Sequence, residues 1–321
     1  MSICLVLTNE VSNHSWKTSV PLNDGWGTEG MGSMIQYQLL LYFFSDFTGI
    51  PFTYSGSNNF SHHNYTEYSK DEFHKSIDTF FNLPKIESVW DKVYDYTGDK
   101  DRHQKNIHNR NSFDNEFFDL VKKYERSADK ILLNLNGCHM KVLTYCEENL
   151  EKIFTKDRID RIRNNLIFTG KKYFDHDINI SLHLRTSNPN DIPAEIVSPL
   201  RELYTTEKDF YRYKNLIEYL KEQAKGQKAT LHIHSQKFKN NFNEFLELIG
   251  NDFNVQLHID DNPLSDIYHM SNADLLIMSN SSFSWLASLL NINQKIVRDN
   301  FTNGTFVHNS LKANYDFTQI S

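Results

Sequence analysis

A predicted strand in the second half of the chain ends in residues that could bind an anion. The strand Asn179–Leu184 is followed at once by Arg185. Because side chains alternate along a strand, His183 and Arg185 lie on the same face, next to the loop that follows. An arginine there can make two charge-assisted hydrogen bonds to a diphosphate. The alternative is a structural ion pair of Arg185 beside a satisfied core histidine.

A second predicted strand, Asp274–Met278, leads into a cluster of small polar residues. Asn280, Ser281 and Ser282 follow it, and the apolar spacing from Phe283 onward predicts a helix. Asn280 or Ser281 can be the N-cap. Free N–H groups and the positive end of the helix dipole favour an anion at such a helix start. Capping alone is the alternative, although it explains one polar residue better than several.

A glycine-rich segment precedes the first predicted helix, Met34–Phe44. The stretch from Gly25 to Gly30 matches the pattern G-x-G-x-x-G. No strand ends at Gly25, so a dinucleotide fold is not predicted here. Gly30 and Gly32 instead suggest a loop that lets a ligand approach the helix start, or else an irregular loop.

Other candidate residues are spread along the chain. His232 and His234 alternate on a strand, but a metal would need further ligands. His234, Ser235 and Gln236 are expected to end that strand near the base or ribose of a nucleotide. The stretch His62–Tyr65 follows an aromatic-rich segment and suits either a sugar-binding surface or a solvated loop. The triplet Asp175–Asp177 precedes a strand rather than ending one, which argues against a metal-binding D-x-D motif.

Alternating strands and helices predict an α/β fold with parallel sheets. The strand candidates are Ile3–Leu7, Lys130–Leu135, Asn179–Leu184, Thr230–His234, Val255–Ile259 and Asp274–Met278. The helix candidates are Met34–Phe44, Asp71–Phe81, Glu116–Arg126, Asp209–Lys225, Phe238–Ile249 and Phe283–Leu290, with a further helix suggested within Lys152–Asn165. Tyr96–Asn115 is predicted to be a solvated loop or lid. We expect an N-terminal domain over residues 1–168, a nucleotide-binding domain over 169–300 and a tail over 301–321.

Composition excludes several classes of protein. The formal net charge of −7 makes general nucleic-acid binding unfavourable. No apolar run approaches the length of a membrane helix, and three scattered cysteines do not form a disulfide framework. The N-terminus lacks the pattern of a signal peptide, which leads us to expect a cytoplasmic protein.

Three segments resemble the superfamily of α1,2-, α1,6- and protein O-fucosyltransferases. ISLHLRTSNPND resembles its H-x-R motif, and NPLSDIYHMSNADLLIMSNSSFSWLASLL resembles its later motif. GMGSMIQYQ resembles the glycine-rich segment of the α1,2 enzymes. Many members carry a second arginine where this chain has Thr186, and protein O-fucosyltransferases also lack it.

The resemblance implies a GT-B fold with two Rossmann-like domains facing across a cleft. It implies an inverting, metal-independent transfer of a sugar, with L-fucose from GDP-fucose expected, to a glycan hydroxyl. No cofactor is expected beyond this donor. By resemblance, Arg185 binds the diphosphate, Ser281 and Ser282 lie near the phosphates, and Asp266 and Asp274 match acidic positions. Asp274 is also expected to contact the donor. Glu29 or His63 could act as the base, with Gly30, Gly32 and His63 on the acceptor side. Another nucleotide sugar, or an inactive glycan- or nucleotide-binding module, is the alternative.

Overall fold

The chain divides into two compact units, Met1–Ile167 and Phe168–Ser321. The structure is a computed structural model. It describes residues 3–7, 31–54, 56, 69–86, 90–96, 112–135, 138–174, 178–184, 214–223, 228–236, 246–247, 249–279, 281–297 and 310–311. Each unit is built on a parallel sheet, so the predicted α/β class is confirmed.

The first unit has three parallel strands in the order β1-β3-β2. Its elements are β1 (Ile3–Val6), α1 (Met31–Thr48), α2 (Lys70–Phe81), β2 (Lys92–Asp95), α3 (Asn115–Glu125), β3 (Ile131–Asn134), α4 (His139–Glu148), α5 (Leu150–Ile153) and α6 (Lys156–Asn164). A short extended segment at Phe52 pairs with Leu5 of β1.

Local sequence signals start several helices of this unit. Ser69 caps α2 and forms a capping box with Glu72. Asp114 and Thr155 cap α3 and α6 through their side-chain oxygens. Phe44 and Phe117 are fully buried and belong to a cluster of aromatic rings that joins α1 to α3. These contacts fix the helices against the sheet.

The second unit has six parallel strands in the order β6-β5-β4-β7-β8-β9. Its elements are β4 (Ile178–Leu184), α7 (Lys214–Gln223), β5 (Ala229–Ser235), β6 (Asn254–Ile259), α8 (Pro263–Asn272), β7 (Leu275–Ile277), α9 (Ser282–Leu290), β8 (Gln294–Ile296) and β9 (Ser310–Leu311). The strand order within this unit is therefore 3-2-1-4-5-6, that of the doubly wound nucleotide-binding sheets. From β4 the chain adds β5 and then β6 on one side. It then crosses to the other side of β4, where β7, β8 and β9 follow in order.

The two faces of this sheet differ sharply in polarity. One face is a hydrophobic core, in which Ile180 and Leu182 of β4 pack with Leu216 and Leu220 of α7. The other face buries polar side chains from neighbouring strands. These are Asn179, Ser181, His183, Thr230, His232, His234, His258 and Lys295. The alternation predicted for β4 is confirmed, but its polar face lies almost entirely inside the protein.

An aromatic stack fastens the start of the second unit to α8. Phe168 stacks on Tyr268 with ring centroids 4.0 Å apart. Tyr173 stacks on His269 at 3.3 Å and donates its backbone N–H to His269 Nε2 at 3.3 Å. His269 Nδ1 lies 2.8 Å from the carbonyl oxygen of Ser265. With one ring nitrogen donating and the other accepting, the imidazole is neutral, and burial lowers its pKa from 6.5 to about 4.

The predicted elements are present wherever the structure describes them, with one difference at the start of α1. Gly32 was expected in a loop, but it lies buried in the first turn of α1, which begins three residues before the predicted start. Only residues 246–247 and 249 of the predicted helix Phe238–Ile249 are described, and most of Tyr96–Asn115 lies outside the described residues. The strands β2, β8 and β9 and the helices α4, α5 and α8 were not predicted.

Acid should weaken the contact between α8 and the start of the second unit. An unfolded histidine binds a proton near pH 6.5, whereas folded His269 does so only near 4. The contribution of neutral His269 to the free energy of unfolding is therefore complete above pH 6.5. It is lost between pH 6.5 and 4, by at most about 1.4 kcal/mol per pH unit. We expect the stability advantage of the natural chain over His269→Gln to shrink as the pH falls from 7 to 5, measured by urea unfolding. Parallel stability curves for the two proteins would contradict this.

Candidate functional site

The strands β4 and β7 part at the carboxyl edge of the second sheet. They pair through Ser181–Leu276 and Leu182–Ile277, and within the described residues their pairing ends at Leu182. The strand after β4 lies on one side and the strand after β7 on the other, so this is the topological switch point of the sheet. Ligands of open α/β sheets bind at such a point, outside the carboxyl ends of the strands.

Two buried side chains meet where β4 and β7 part. His183 Nδ1 lies 2.7 Å from Ser279 Oγ, just past the last paired residues of β4 and β7. His183 is 6% exposed and Ser279 is 2% exposed. The ring of Phe283 lies 5.4 Å from that of His183, centroid to centroid. A side-chain hydrogen bond thus continues across the gap where main-chain pairing stops.

The turn after β7 is fixed by its own serines. Ser281 is the N-cap of α9, and its hydroxyl accepts the backbone N–H of Phe283 at 3.2 Å. The hydroxyl of Ser284 lies 3.1 Å from the carbonyl oxygens of both Ser279 and Ser281. Trp285 is fully buried and anchors the helix in the core. The positive end of a nine-residue helix is therefore held at the carboxyl edge of the sheet, as predicted.

Ser235 also lies at this edge, whereas His234 is turned inward. Ser235 ends β5 and donates its hydroxyl to the carbonyl oxygen of Leu184 at 2.8 Å. His234 is 0% exposed, with Nδ1 2.7 Å from Asp266 Oδ1 and Nε2 3.4 Å from Ser181 Oγ. The prediction that His234 faces a nucleotide is thus corrected, because its ring is enclosed between the sheet and α8.

Burial acts on both members of the His234–Asp266 pair. It lowers the pKa of His234 to about 3 and raises the pKa of the Asp266 carboxyl well above its ordinary value, so it disfavours the charged form of each. Asp266 matches an acidic position of the later fucosyltransferase-like motif. In this structure its side chain contacts His234 on the polar face of the sheet.

Asp274 does not belong to the carboxyl edge. Its carboxylate accepts the backbone N–H of Asn179 at 2.9 Å, and its own N–H donates to the Asn179 carbonyl oxygen at 2.9 Å. Both residues lie at the amino ends of their strands, at the opposite edge of the sheet from Ser279. The expectation that Asp274 contacts the donor is therefore wrong for this arrangement.

Several of the predicted site residues do not belong to the described carboxyl edge of the second sheet. Arg185, Asn280, Glu29, Gly30 and His63 lie outside the described residues. Gly32 lies in α1 of the first unit. Among the residues that the structure describes, no group of three or more His, Cys, Asp or Glu side chains could hold a metal ion.

Sequence reasoning missed Ser279 as a partner of His183. Ser279 is the first residue of the polar turn and follows Met278 directly. No spacing or motif in the sequence marks it as a partner of His183. The two residues are 96 positions apart in the chain, so only the parallel pairing of β4 with β7 brings them together.

No protein-family model matches the chain, and no curated protein matches it in sequence. Solved structures of other proteins are similar to it, and three of them are compared here. A FUT1 variant of Arabidopsis thaliana in complex with GDP is 10% identical over 92% of this chain and 69% of that chain, with a TM-score of 0.44. POFUT1 in complex with GDP-fucose is 12% identical over 91% and 94%, with a TM-score of 0.36. The E. coli heptosyltransferase WaaC with ADP is 10% identical over 99% and 96%, with a TM-score of 0.38.

Within the parts of the chain that the structure describes, no helix has both the length and the apolar character needed to cross a membrane.

The N-cap of α9 gives a stability prediction. Ser281→Ala removes the hydroxyl that accepts the N–H of Phe283, and such losses cost about 1 kcal/mol. Ser282→Ala is the matched control, because Ser282 is the first helical residue and not the cap. We expect chemical denaturation to show a lower free energy of unfolding for Ser281→Ala alone. Equal losses in both variants would show that Ser281 does not act as the cap.

Proposed function

We propose that this protein is a glycosyltransferase that transfers a sugar from a GDP-sugar to a glycan hydroxyl, with L-fucose as the sugar. One observation carries the proposal. The start of α9, capped by Ser281, lies at the carboxyl edge of a doubly wound sheet, directly beside the switch point between β4 and β7. Two of the three fucosyltransferase-like segments lie here, since one begins in β4 and the other runs from α8 through β7 to α9. We further propose that the two units form a GT-B enzyme.

The proposed donor site explains why polar residues gather at this edge. A nucleoside diphosphate carries its charge on phosphate oxygens, which bind well to free N–H groups at a helix start. Ser281 and Ser282 supply the positive end of α9, and Arg185 follows β4 directly in the sequence. We propose that Arg185 adds two charge-assisted hydrogen bonds to the diphosphate.

The proposed reaction is an inverting displacement. The acceptor hydroxyl attacks C1 of the sugar on the face opposite the nucleotide, the C1–O bond to the diphosphate breaks, and GDP leaves. Arg185 and the dipole of α9 stabilise the charge that develops on the leaving diphosphate. A base takes the proton of the acceptor hydroxyl, and Glu29 and His63 are the proposed candidates. No metal or other cofactor takes part in this scheme.

A negative charge placed at the start of α9 tests whether this helix start binds the diphosphate or is only capped by its serines. Ser282→Asp suits the helix dipole and should leave the melting temperature unchanged or higher. It should also repel the diphosphate, because two unit charges about 5 Å apart near a protein surface interact by roughly 3 kcal/mol. We expect calorimetric titration to show GDP binding to the natural chain and about hundredfold weaker binding to Ser282→Asp.

The neutral variant Ser282→Asn is the matched control, since it has nearly the same shape without the charge. It should bind GDP within a few-fold of the natural chain. If Ser282→Asp binds GDP as tightly as Ser282→Asn, the helix start is not the diphosphate site. If the natural chain binds no guanosine diphosphate, the proposed donor is wrong.

Metal removal tests how the leaving group is stabilised. If Arg185 and α9 neutralise the diphosphate, treatment with EDTA should leave the release of GDP from GDP-fucose unchanged. Complete loss of this release, restored by Mn²⁺ but not by an equal concentration of Na⁺, would place a metal ion in the mechanism.

A further inference from the structure

The outer edge of β6 is open. β6 is an edge strand of the second sheet and pairs with β5 on one side. Within the described residues it forms no main-chain hydrogen bond on its other side. Asp260, directly after the strand, donates its N–H towards the sheet, to the Ser235 carbonyl oxygen at 3.0 Å. Since main-chain groups alternate in direction along a parallel edge strand, those of Val255, Leu257 and Ile259 point outward.

The side chains of β6 leave this edge unprotected. Natural proteins block a free edge with charged residues, with proline or with a very short strand. β6 is six residues long and contains no lysine, arginine, acidic residue, proline or glycine, and its Leu257 is 43% exposed. β2, an edge strand of the first sheet, does have this protection, because it is four residues long and carries Lys92 and Asp95.

We propose that β6 of one copy of this chain pairs antiparallel with β6 of a second copy, about a two-fold axis at Leu257. The two six-stranded sheets then continue into one another across the interface. An interface of this kind uses the same surface of both copies and closes after two subunits. The proposal rests on the main chain and side chains of β6 and is independent of the proposed function.

The outward main-chain groups select this register. In an antiparallel pair, two facing residues whose main-chain groups point at each other exchange two hydrogen bonds. With Leu257 opposite its own counterpart, Val255 of each copy lies opposite Ile259 of the other, so all three outward residues find a partner within β6. An axis at Gln256 or at His258 would instead place one of them opposite a residue outside the strand.

Charge selects the same register and favours a second copy as the partner. With the axis at Leu257, Asp260 lies opposite Asn254, whose amide is a hydrogen-bond donor. An axis one residue earlier would set Asp260 against Asp252, and like charges that face each other destabilise a strand pair. Although the chain carries a formal net charge of −7, two β6 strands therefore meet without opposing acidic side chains.

Sedimentation equilibrium of the full chain tests the association. A single pair of strands forms a small interface, so we expect a reversible dimer with a Kd of the order of 10 µM. The average mass should rise from that of a monomer towards that of a dimer as the concentration increases from about 1 to 100 µM. A monomer over the whole range would overturn the proposal.

A charge on the edge tests whether β6 is the interface. Leu257→Lys sets two ammonium groups against each other at the axis and should weaken the dimer at least about tenfold, because opposed like charges are costly in an interface. Val93→Lys is the matched control, since Val93 is 61% exposed on the edge strand β2. It should leave the Kd of the dimer unchanged. Equal dimerisation of folded Leu257→Lys and the natural chain would overturn the proposal.

A disulfide at the axis tests the register and decides the question if Leu257→Lys does not fold. Facing residues that exchange main-chain hydrogen bonds have Cα atoms about 5.5 Å apart, which a disulfide can span. The natural cysteines Cys4, Cys138 and Cys146 are buried. With oxidised glutathione as the oxidant, Leu257→Cys should form a covalent dimer that dithiothreitol reverses, and Val93→Cys should stay largely monomeric. Equal yields of dimer from the two variants would overturn the pairing at Leu257.

Discussion

Parallel pairing of β4 with β7, and its end at Leu182 and Ile277, is the constraint on which the candidate site depends. The next strand along the chain after β4 is β5 and the next after β7 is β8, and these two strands lie on opposite sides of the β4–β7 pair. Such a parting leaves an opening at the carboxyl edge that no main-chain hydrogen bond can fill. The bond between His183 and Ser279 and the capped start of α9 both occupy positions defined by that opening.

The buried polar face of the second sheet is stabilised by hydrogen bonds among its own side chains. Fully buried parallel strands are normally apolar on both faces. Here buried histidines on β5 and β6 are satisfied by one another and by acidic side chains. His232 Nδ1 lies 3.2 Å from His258 Nε2, and His258 Nδ1 lies 3.1 Å from Asp261 Oδ2. A network of this kind is stable only when each member finds its partner, so it fixes α8 and the aromatic segment that precedes β4 in one arrangement.

Local sequence patterns were sufficient for six of the strands and for the start of α9. Alternation along β4 and the turn Ser279–Ser282 marked two strand ends and one helix N-terminus, and the six predicted strands are present. The strand β2 was missed for a physical reason. β2 is exposed along its whole length and its sequence carries charge at both ends, so it lacks a buried face that would show as alternation.

The sequence by itself determined the α/β class, the polar ends of β4 and β7 and the capped start of α9, because these depend on side chains close together in the chain. Only the tertiary structure decided which polar residues share an edge. Ser279 joined His183 across 96 positions, Asp274 was carried to the opposite edge, and His234 was enclosed by Asp266. Strand order and register set these distances, and both are products of packing between distant segments that spacing along the chain does not encode.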